Sequence, residues 1–501
     1  MLKYFSPLLT LLYLCTIPIT VSAQSDDPNR ISEFVTQQNV EFNIYFLAAD
    51  EFLGRDTGSN ELDIAARFIA TTFQVHGVKT APGSDSYYQN VPFREVKAPT
   101  RGALAVGDST YSIATDFISM SGFRGEIEGE VIHLEYGSRE EIESADIEGK
   151  IVIAGTGLPG QTAPRQMIQT SAQKAEWIRD AGGIALIERL SQQQMSWQML
   201  ANFLGRDRLF RVDDFEETEI ELPHIWVEST TEERNQFLGG DSFSEVSLSV
   251  EGEPARDFYS YNVIGVIEGT DPDLKDEYIL LSAHYDHTGV VSDHPEPITG
   301  EYIYNGARDN AVGTSGVIEA AKFFAENPPR RSVLLAAWTA EERGLLGSAY
   351  FAENPMVPLN QIIYNLNIDG AGYNDTSIVT VIGLGRTEAD DDLKASTEAF
   401  GLEAAPDPVP EQNLFNRSDN VHFARAGIPA PTYSMGLTAF DDEINYYYHQ
   451  TTDEPDSIDY EYVTAYIRSF VLAAGKIVNR DEAPFWLPGD EYEQAGIDLY
   501  N

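Results

Sequence analysis

Apolar and polar positions along this chain change period twice, and the changes divide it. Over residues 30–47 apolar side chains recur at helical spacing. Ala65, Ala66, Phe68, Ile69, Phe73 and Val75 form the apolar side of a second helix, which Gly77 is placed to end. From about Lys97 the texture becomes short alternating segments separated by glycine, such as 103–106 and 129–134, which predict strands and turns. Strands are also predicted at 150–154, 184–188 and 222–227, with a helix over 173–181 and a polar helical insert between the last two strands. The polar stretch 239–257 reads as the return path.

After this the pattern coarsens. Apolar runs at 262–269, 278–283, 332–339, 361–368 and 378–382 predict buried strands, and 312–325 and 460–478 predict helices. Strands alternating with helices imply a mostly parallel sheet in a three-layer α/β/α domain. The expected organisation is a catalytic domain made of residues 24–96 and 257–501, interrupted by an inserted, mainly β module over 97–256.

Composition narrows the picture. A chain of 501 residues with a 42% apolar fraction has room for two or more packed cores. Residues 1–23 have the three parts of a secretory signal: Lys3, an apolar run, and the small-residue end Val21-Ser22-Ala23. A secreted or periplasmic protein with no retained membrane anchor is therefore expected. The only cysteine, Cys15, lies in that segment, and bulky Leu14 before it opposes a lipid-anchor reading. A net charge of −47 argues against nucleic acid as a partner, because a phosphate backbone needs a basic face. Solubility in a salty environment is the simpler account of the acidity.

The chemistry concentrates between Tyr278 and Glu342. His284, Asp286 and His287 follow the strand at 278–283; Asp309 opens the helical pattern; Glu341 and Glu342 follow the strand at 332–339. Ends of parallel strands are where such sheets place their sites. His284 and Asp286 stand two apart, so in an extended backbone they point the same way, and Asp286 is expected to accept the second imidazole proton of His284. With Asp309, Glu342, Asp369 and His449 the set is nitrogen and oxygen without sulfur, which suits two zinc ions before manganese or cobalt. Two divalent ions are balanced by Asp309, Glu342, Asp369 and one hydroxide. Of the adjacent glutamates, one can ligate while the other handles protons.

These residues resemble the zinc aminopeptidases of peptidase family M28. The resemblance rests on Ala283-His284-Tyr285-Asp286-His287, Gly306-Ala307-Arg308-Asp309-Asn310, Thr339-Ala340-Glu341-Glu342, Asn367-Ile368-Asp369-Gly370, Arg417-Ser418-Asp419-Asn420 and Tyr448-His449-Gln450-Thr451-Thr452-Asp453. It implies the three-layer zinc-exopeptidase fold. His284 and Asp369 would bind one zinc, Glu342 and His449 the other, and Asp309 would bridge them. Glu341 would be the general base, and Tyr448 would polarise the scissile carbonyl or stabilise the oxyanion. The insert resembles a protease-associated domain through Glu148-Gly149-Lys150-Ile151-Val152, Lys174-Ala175 and Ala181-Gly182-Gly183. Arg308 departs from the family, which usually has an acidic residue there.

The expected activity is release of N-terminal residues from peptides. Alternatives are a carboxypeptidase or dipeptidase of the same family, for which Arg308 and Arg417 are the nearby cations, a single-zinc glutaminyl cyclase, and a non-catalytic receptor-like relative. His76, His133 and His224 are read as structural, His287 as support for its loop, His294 and His422 as supporting or surface residues, and Asp419 as a candidate hydrogen-bond partner of the site loop.

Overall fold

The structure, a computed structural model, describes residues 24–501 except 162–163, 192–196, 215–221, 241–242, 254 and 291–299. The expected signal segment and His294 thus lie outside the described residues. The described residues form two compact units, one of residues 24–89 with Tyr261–Asn501 and one of Asn90–Ser260. It passes between them in strands Tyr88–Val96 and Ala255–Ile267.

The first unit is built on a twisted sheet whose strands include β1 (Ala255–Ile267), β2 (Tyr278–His284), β3 (Ser332–Trp338), β4 (Ile362–Ile368), β5 (Ile378–Ile382), β6 (Glu403–Pro406) and β7 (Thr432–Met435). Their spatial order is β6-β5-β7-β4-β2-β3-β1. The central four, β7, β4, β2 and β3, run parallel, while β1 joins β3 and β5 joins β7 antiparallel.

Alternation of side chains explains the layers. Ile279, Leu281 and Ala283 of β2 and Val333, Leu335 and Ala337 of β3 face one core, shared with helices α1 (Gln37–Leu47), α2 (Asn60–Val75), α3 (Val312–Glu326) and α4 (Tyr460–Val478). Leu280, Leu334, Ala336 and Trp338 face the other, against Phe351, Phe423 and Trp486. A strand buried on both faces reads as a continuous apolar run, as these do.

Several elements differ from the sequence expectation. Residues 30–47 form two helices, Pro28–Phe34 and α1, because Thr36 turns extended and its side chain caps Asn39. The short strands β6 and β7 were not expected. In the second unit, part of the expected return path is strand Glu245–Glu251, which pairs antiparallel with both Arg101–Val106 and Gly125–His133. Its Val246, Leu248 and Val250 are buried at every second position.

The second unit holds an eight-stranded sheet with a parallel centre. Ile151–Gly155 pairs parallel with Gly125–His133 and with Ala185–Leu190, and the latter pairs parallel with His224–Glu228. Helix Pro164–Asp180 carries Lys174, which is fully buried with Glu188 at 2.9 Å; Nε2 of His224 lies 2.9 Å from the other Glu188 oxygen. Among the described residues, no helix of the chain is long and apolar enough to cross a membrane.

Candidate metal centre

The carboxyl ends of β2, β3 and β4 open into a cleft of about 310 Å³ whose lining includes His284, Asp309, Glu341, Glu342, Asp369, Arg417, Tyr448 and His449. His284 is the last residue of β2; Glu342, Asp369 and His449 follow the ends of β3, β4 and helix Asp442–Tyr447, and Asp309 lies in the π-helical turn Ala307–Ala311 that leads into α3. Ala340 and His449 adopt left-handed backbone, at φ 58° and 53°, each turning the chain sharply beside the site.

The structure brings the five expected donors together in two groups. His284 Nε2 lies 3.1 Å from Asp309 Oδ1 and 3.2 Å from Asp369 Oδ1. His449 Nε2 lies 3.2 Å from both Asp309 Oδ2 and Glu342 Oε2. Asp309 therefore presents one oxygen to each histidine. Tetrahedral donors at about 2.0–2.1 Å from a shared ion lie about 3.3 Å from one another. The observed 3.1–3.2 Å spacings fit two ions, one in each group, with Asp309 common to both. Donor atoms of Glu341 with His284 and Asp369, and of His287 with Asp309 and Glu342, also fall within 4.8 Å of one another. Glu341 Oε2 is 4.0 Å from His284 Nε2, however, well outside the tighter set.

Charge points the same way. Burial alone would lower the His284 imidazole, but Glu341, Asp369 and Asp309 outweigh it and hold it well above the usual histidine range. His449 is likewise lowered by burial yet pushed up to about 10 by Asp309 and Glu342. Burial favours the neutral form of Asp309, and hydrogen bonds from His284 and His449 reverse this and hold it well below the carboxylate range. The cluster thus attracts positive charge strongly, which is what a divalent ion supplies.

Supporting residues explain how the donors are aimed. Ser418 Oγ donates to Asp369 Oδ2 at 2.5 Å and itself accepts from Asn367 Nδ2 at 2.8 Å, leaving Asp369 Oδ1 toward His284. Asp453 accepts the main-chain N–H groups of Arg308 and Asp309 at 3.0 and 3.2 Å. The buried guanidinium of Arg55 donates to the main-chain oxygens of Leu47, Tyr285, Asn305 and Gly306, tying the His284 segment to the Asp309 segment. Neither Arg55 nor Asp453 carried a signal of this role in the sequence, beyond Asp453 closing a motif.

Asp286 requires a correction. Its carboxylate is 3.8 Å from His284 Nδ1, and its own main-chain oxygen is nearer, at 3.2 Å. The strand ends at His284, so the extended geometry that would align residues 284 and 286 does not persist. The carboxylate instead accepts the main-chain N–H of Glu341 at 3.1 Å and of Glu342 at 3.4 Å. Asp286 sets the glutamate loop rather than the imidazole.

The tyrosine run sorts itself by direction. Tyr448 lines the cleft, stacks on His449 with ring centres 4.0 Å apart, and has its hydroxyl 3.4 Å from Arg417. Tyr447 covers the Arg308 guanidinium at 3.4 Å, with Tyr373 on it at 4.5 Å. Arg308 is 2% exposed and does not line the cleft, so its charge is taken up by aromatic faces and by the Ser457 oxygen at 2.9 Å. Asp419 accepts from Ser348 Oγ at 2.5 Å, at the start of the next helix.

Residues 262–473 match the model of Peptidase family M28. A vacuolar membrane protease of Candida albicans (strain WO-1) is 29% identical over 154 residues, 30% of this chain and 16% of that protein. Aminopeptidase YwaD of Bacillus subtilis (strain 168) is 25% identical over 210 residues, 40% of this chain and 41% of that protein. The chain thus spans under half the length of these relatives. In fold it is similar to an aminopeptidase from Aneurinibacillus sp. strain AM-1, with a TM-score of 0.58 at 19% identity, covering 92% of this chain and 98% of that one.

Proposed function

We propose that this chain, which belongs to peptidase family M28 through residues 262–473, is a dizinc exopeptidase that releases N-terminal residues from peptides. The observation that carries the reading is Asp309, whose two oxygens each meet a different histidine at 3.1 and 3.2 Å. His284 and Asp369 would hold one zinc, Glu342 and His449 the other, and Asp309 both. When bound, the metals supply Lewis-acid polarisation of a peptide carbonyl and a more acidic water.

The chain's own residues do the rest. Glu341 borders the cleft without belonging to the tight donor groups, so its carboxylate is free to take a proton from water and return it to the departing amine. Tyr448 extends its hydroxyl along the same wall, where it can donate to the carbonyl oxygen as charge develops. The acidic lining favours a free ammonium over a free carboxylate. With Arg308 buried, Arg417 is the one arginine or lysine among the described lining residues, which weakens the carboxypeptidase alternative. Residues 97–256 are read as a protease-associated domain, and none of the five donors comes from them.

Metal analysis and a panel of free and blocked peptides test the reading together. About two zinc ions per chain, hydrolysis of peptides with free N-termini and none of N-acetylated ones would support it. Cleavage from the C-terminus of blocked peptides, or cyclisation of an N-terminal glutamine peptide, would replace it with one of the alternatives.

A further inference from the structure

His287 is not among the five donors, yet it is completely buried beside them. Its Nδ1 lies 2.7 Å from Glu342 Oε1, while Glu342 Oε2 faces His449 at 3.2 Å. Its Nε2 has no hydrogen-bond partner among the described residues. The ring packs near His449, with centres 5.7 Å apart, and against Gly306, where an added Cβ would come within 2.6 Å of it. Gly306 is left-handed at φ 58° and begins the segment that carries Asp309.

A nitrogen and a carboxylate oxygen 2.7 Å apart must share a proton, since two lone pairs at that distance repel. Two donors to a common ion would both aim lone pairs at the metal and stand about 3.3 Å apart. A carboxylate that ligates a metal is ionised, so with Glu342 as a ligand the proton belongs to Nδ1 and Oε1 is its acceptor. The consecutive pair Asp286-His287 thus grips the consecutive pair Glu341-Glu342: Asp286 holds both main-chain N–H groups, and His287 holds one side chain. Glu341 has no comparable side-chain hydrogen bond among the described residues.

We infer that His287 is a positioning residue that ties down Oε1 of Glu342, so that Glu342 offers only Oε2 to the ion it would share with His449, and that this tie is what separates the ligand glutamate from its untethered neighbour Glu341. The inference rests on the proposed metal-binding reading and adds a residue to it. His287 itself is not a ligand.

The test uses the full chain stripped of metal and titrated with zinc against a chromophoric chelator, for wild type, His287→Leu and His287→Asn. Wild type takes up two ions. His287→Leu should still take up two, with one of the two affinities falling about 10- to 100-fold, the usual loss for a residue that orients a metal ligand. His287→Asn, which keeps a donor, should recover most of that loss. Unchanged affinities in His287→Leu would overturn the inference, as would equal weakening of both sites or loss of one equivalent of zinc, which would make His287 a ligand. Should His287→Leu fail to fold, His287→Ala takes its place with the same expectation, and His287→Asn remains the variant that restores the donor. A wild-type chain that binds no zinc would instead bring down the metallopeptidase reading, and this inference with it.

Discussion

The carboxylate of Asp453 accepts the main-chain N–H of Asp309 at 3.2 Å, so the residue that faces both histidines is held by its backbone as well as by its side chain. Burial pushes the Asp453 carboxyl up to about 6, against the pull of the Arg308 N–H and the nearby His287 and Arg308 charges. Asp453→Ala removes the acceptor and leaves two buried N–H groups unpaired. The expected outcome is weaker zinc binding at both sites, by about 10- to 100-fold, because Asp309 serves both. Asp453→Asn, which keeps an acceptor oxygen, should lose less. Competition titration of each variant decides it; a loss confined to one site would contradict the shared role of Asp309.

Arg308 stands where the family usually has an acid, and the structure shows what it does there. Its guanidinium is enclosed by Tyr447 and Tyr373, donates to the Ser457 oxygen, and lies 4.0 Å from Asp453. Arg308→Leu should cost about 1–2 kcal/mol of stability through the lost cation–π contacts. Arg308→Glu should cost more, about 3–5 kcal/mol, since it places an unpaired charge near Asp453. Thermal unfolding of the metal-loaded variants measures both, and a Glu variant as stable as wild type would show that this pocket admits either charge.

His284, Glu342 and Asp369 stood out in the sequence because an apolar run stops just before each, Asp309 because it opens a helical pattern, and His449 only through the motif Tyr448-His449-Gln450-Thr451-Thr452-Asp453. The grip of Arg55 was not, since its partners are main-chain oxygens of residues scattered from 47 to 306. The partner of Asp286 was misread for a related reason: its aim depends on where β2 stops, and one residue of extension reverses a side chain. Strand Glu245–Glu251 was passed over although its buried positions alternate, because its serines and terminal glutamates made the whole stretch 239–257 read as polar. The layered fold of the first unit was readable, since strands buried on both faces leave long apolar runs.

Glu341 and Glu342 share charge, length and neighbourhood, so they separate proton transfer from metal binding. Glu341→Gln keeps the shape but cannot take a proton, and turnover should fall by at least about 10²-fold with zinc retained. Glu342→Gln removes the charge and leaves a single oxygen to serve either His287 or the ion, so zinc affinity should fall and activity should recover in part at high zinc. Metal content and single-turnover rates of the two variants, measured side by side, distinguish the roles. Reversed phenotypes would exchange them, and wild-type behaviour in both would move the active site elsewhere.

The second unit carries its own pH dependence in Glu188. Burial favours the neutral acid, but the hydrogen bond and charge of His224 and the charge of Lys174 overcome it and hold the carboxyl below its ordinary value. The side chains of Glu188 and Lys174 are both 0% exposed, and Trp226 Nε1 also donates to Glu188 at 2.8 Å. An unfolded chain, with an ordinary glutamate near pH 4.3, takes up the proton first. The stabilisation is therefore complete above that range and is lost as pH falls below it toward the depressed folded value. Glu188→Gln removes the carboxylate and leaves the Lys174 ammonium buried without its counter-charge, which should cost about 3–5 kcal/mol at neutral pH. Unfolding of the second unit in the full chain, followed by the fluorescence of buried Trp226 between pH 3 and 7, should show a steep acid limb in wild type. That limb should be shallower in Glu188→Gln, whose baseline is already lowered; parallel limbs would mean that acid sensitivity arises from other carboxylates.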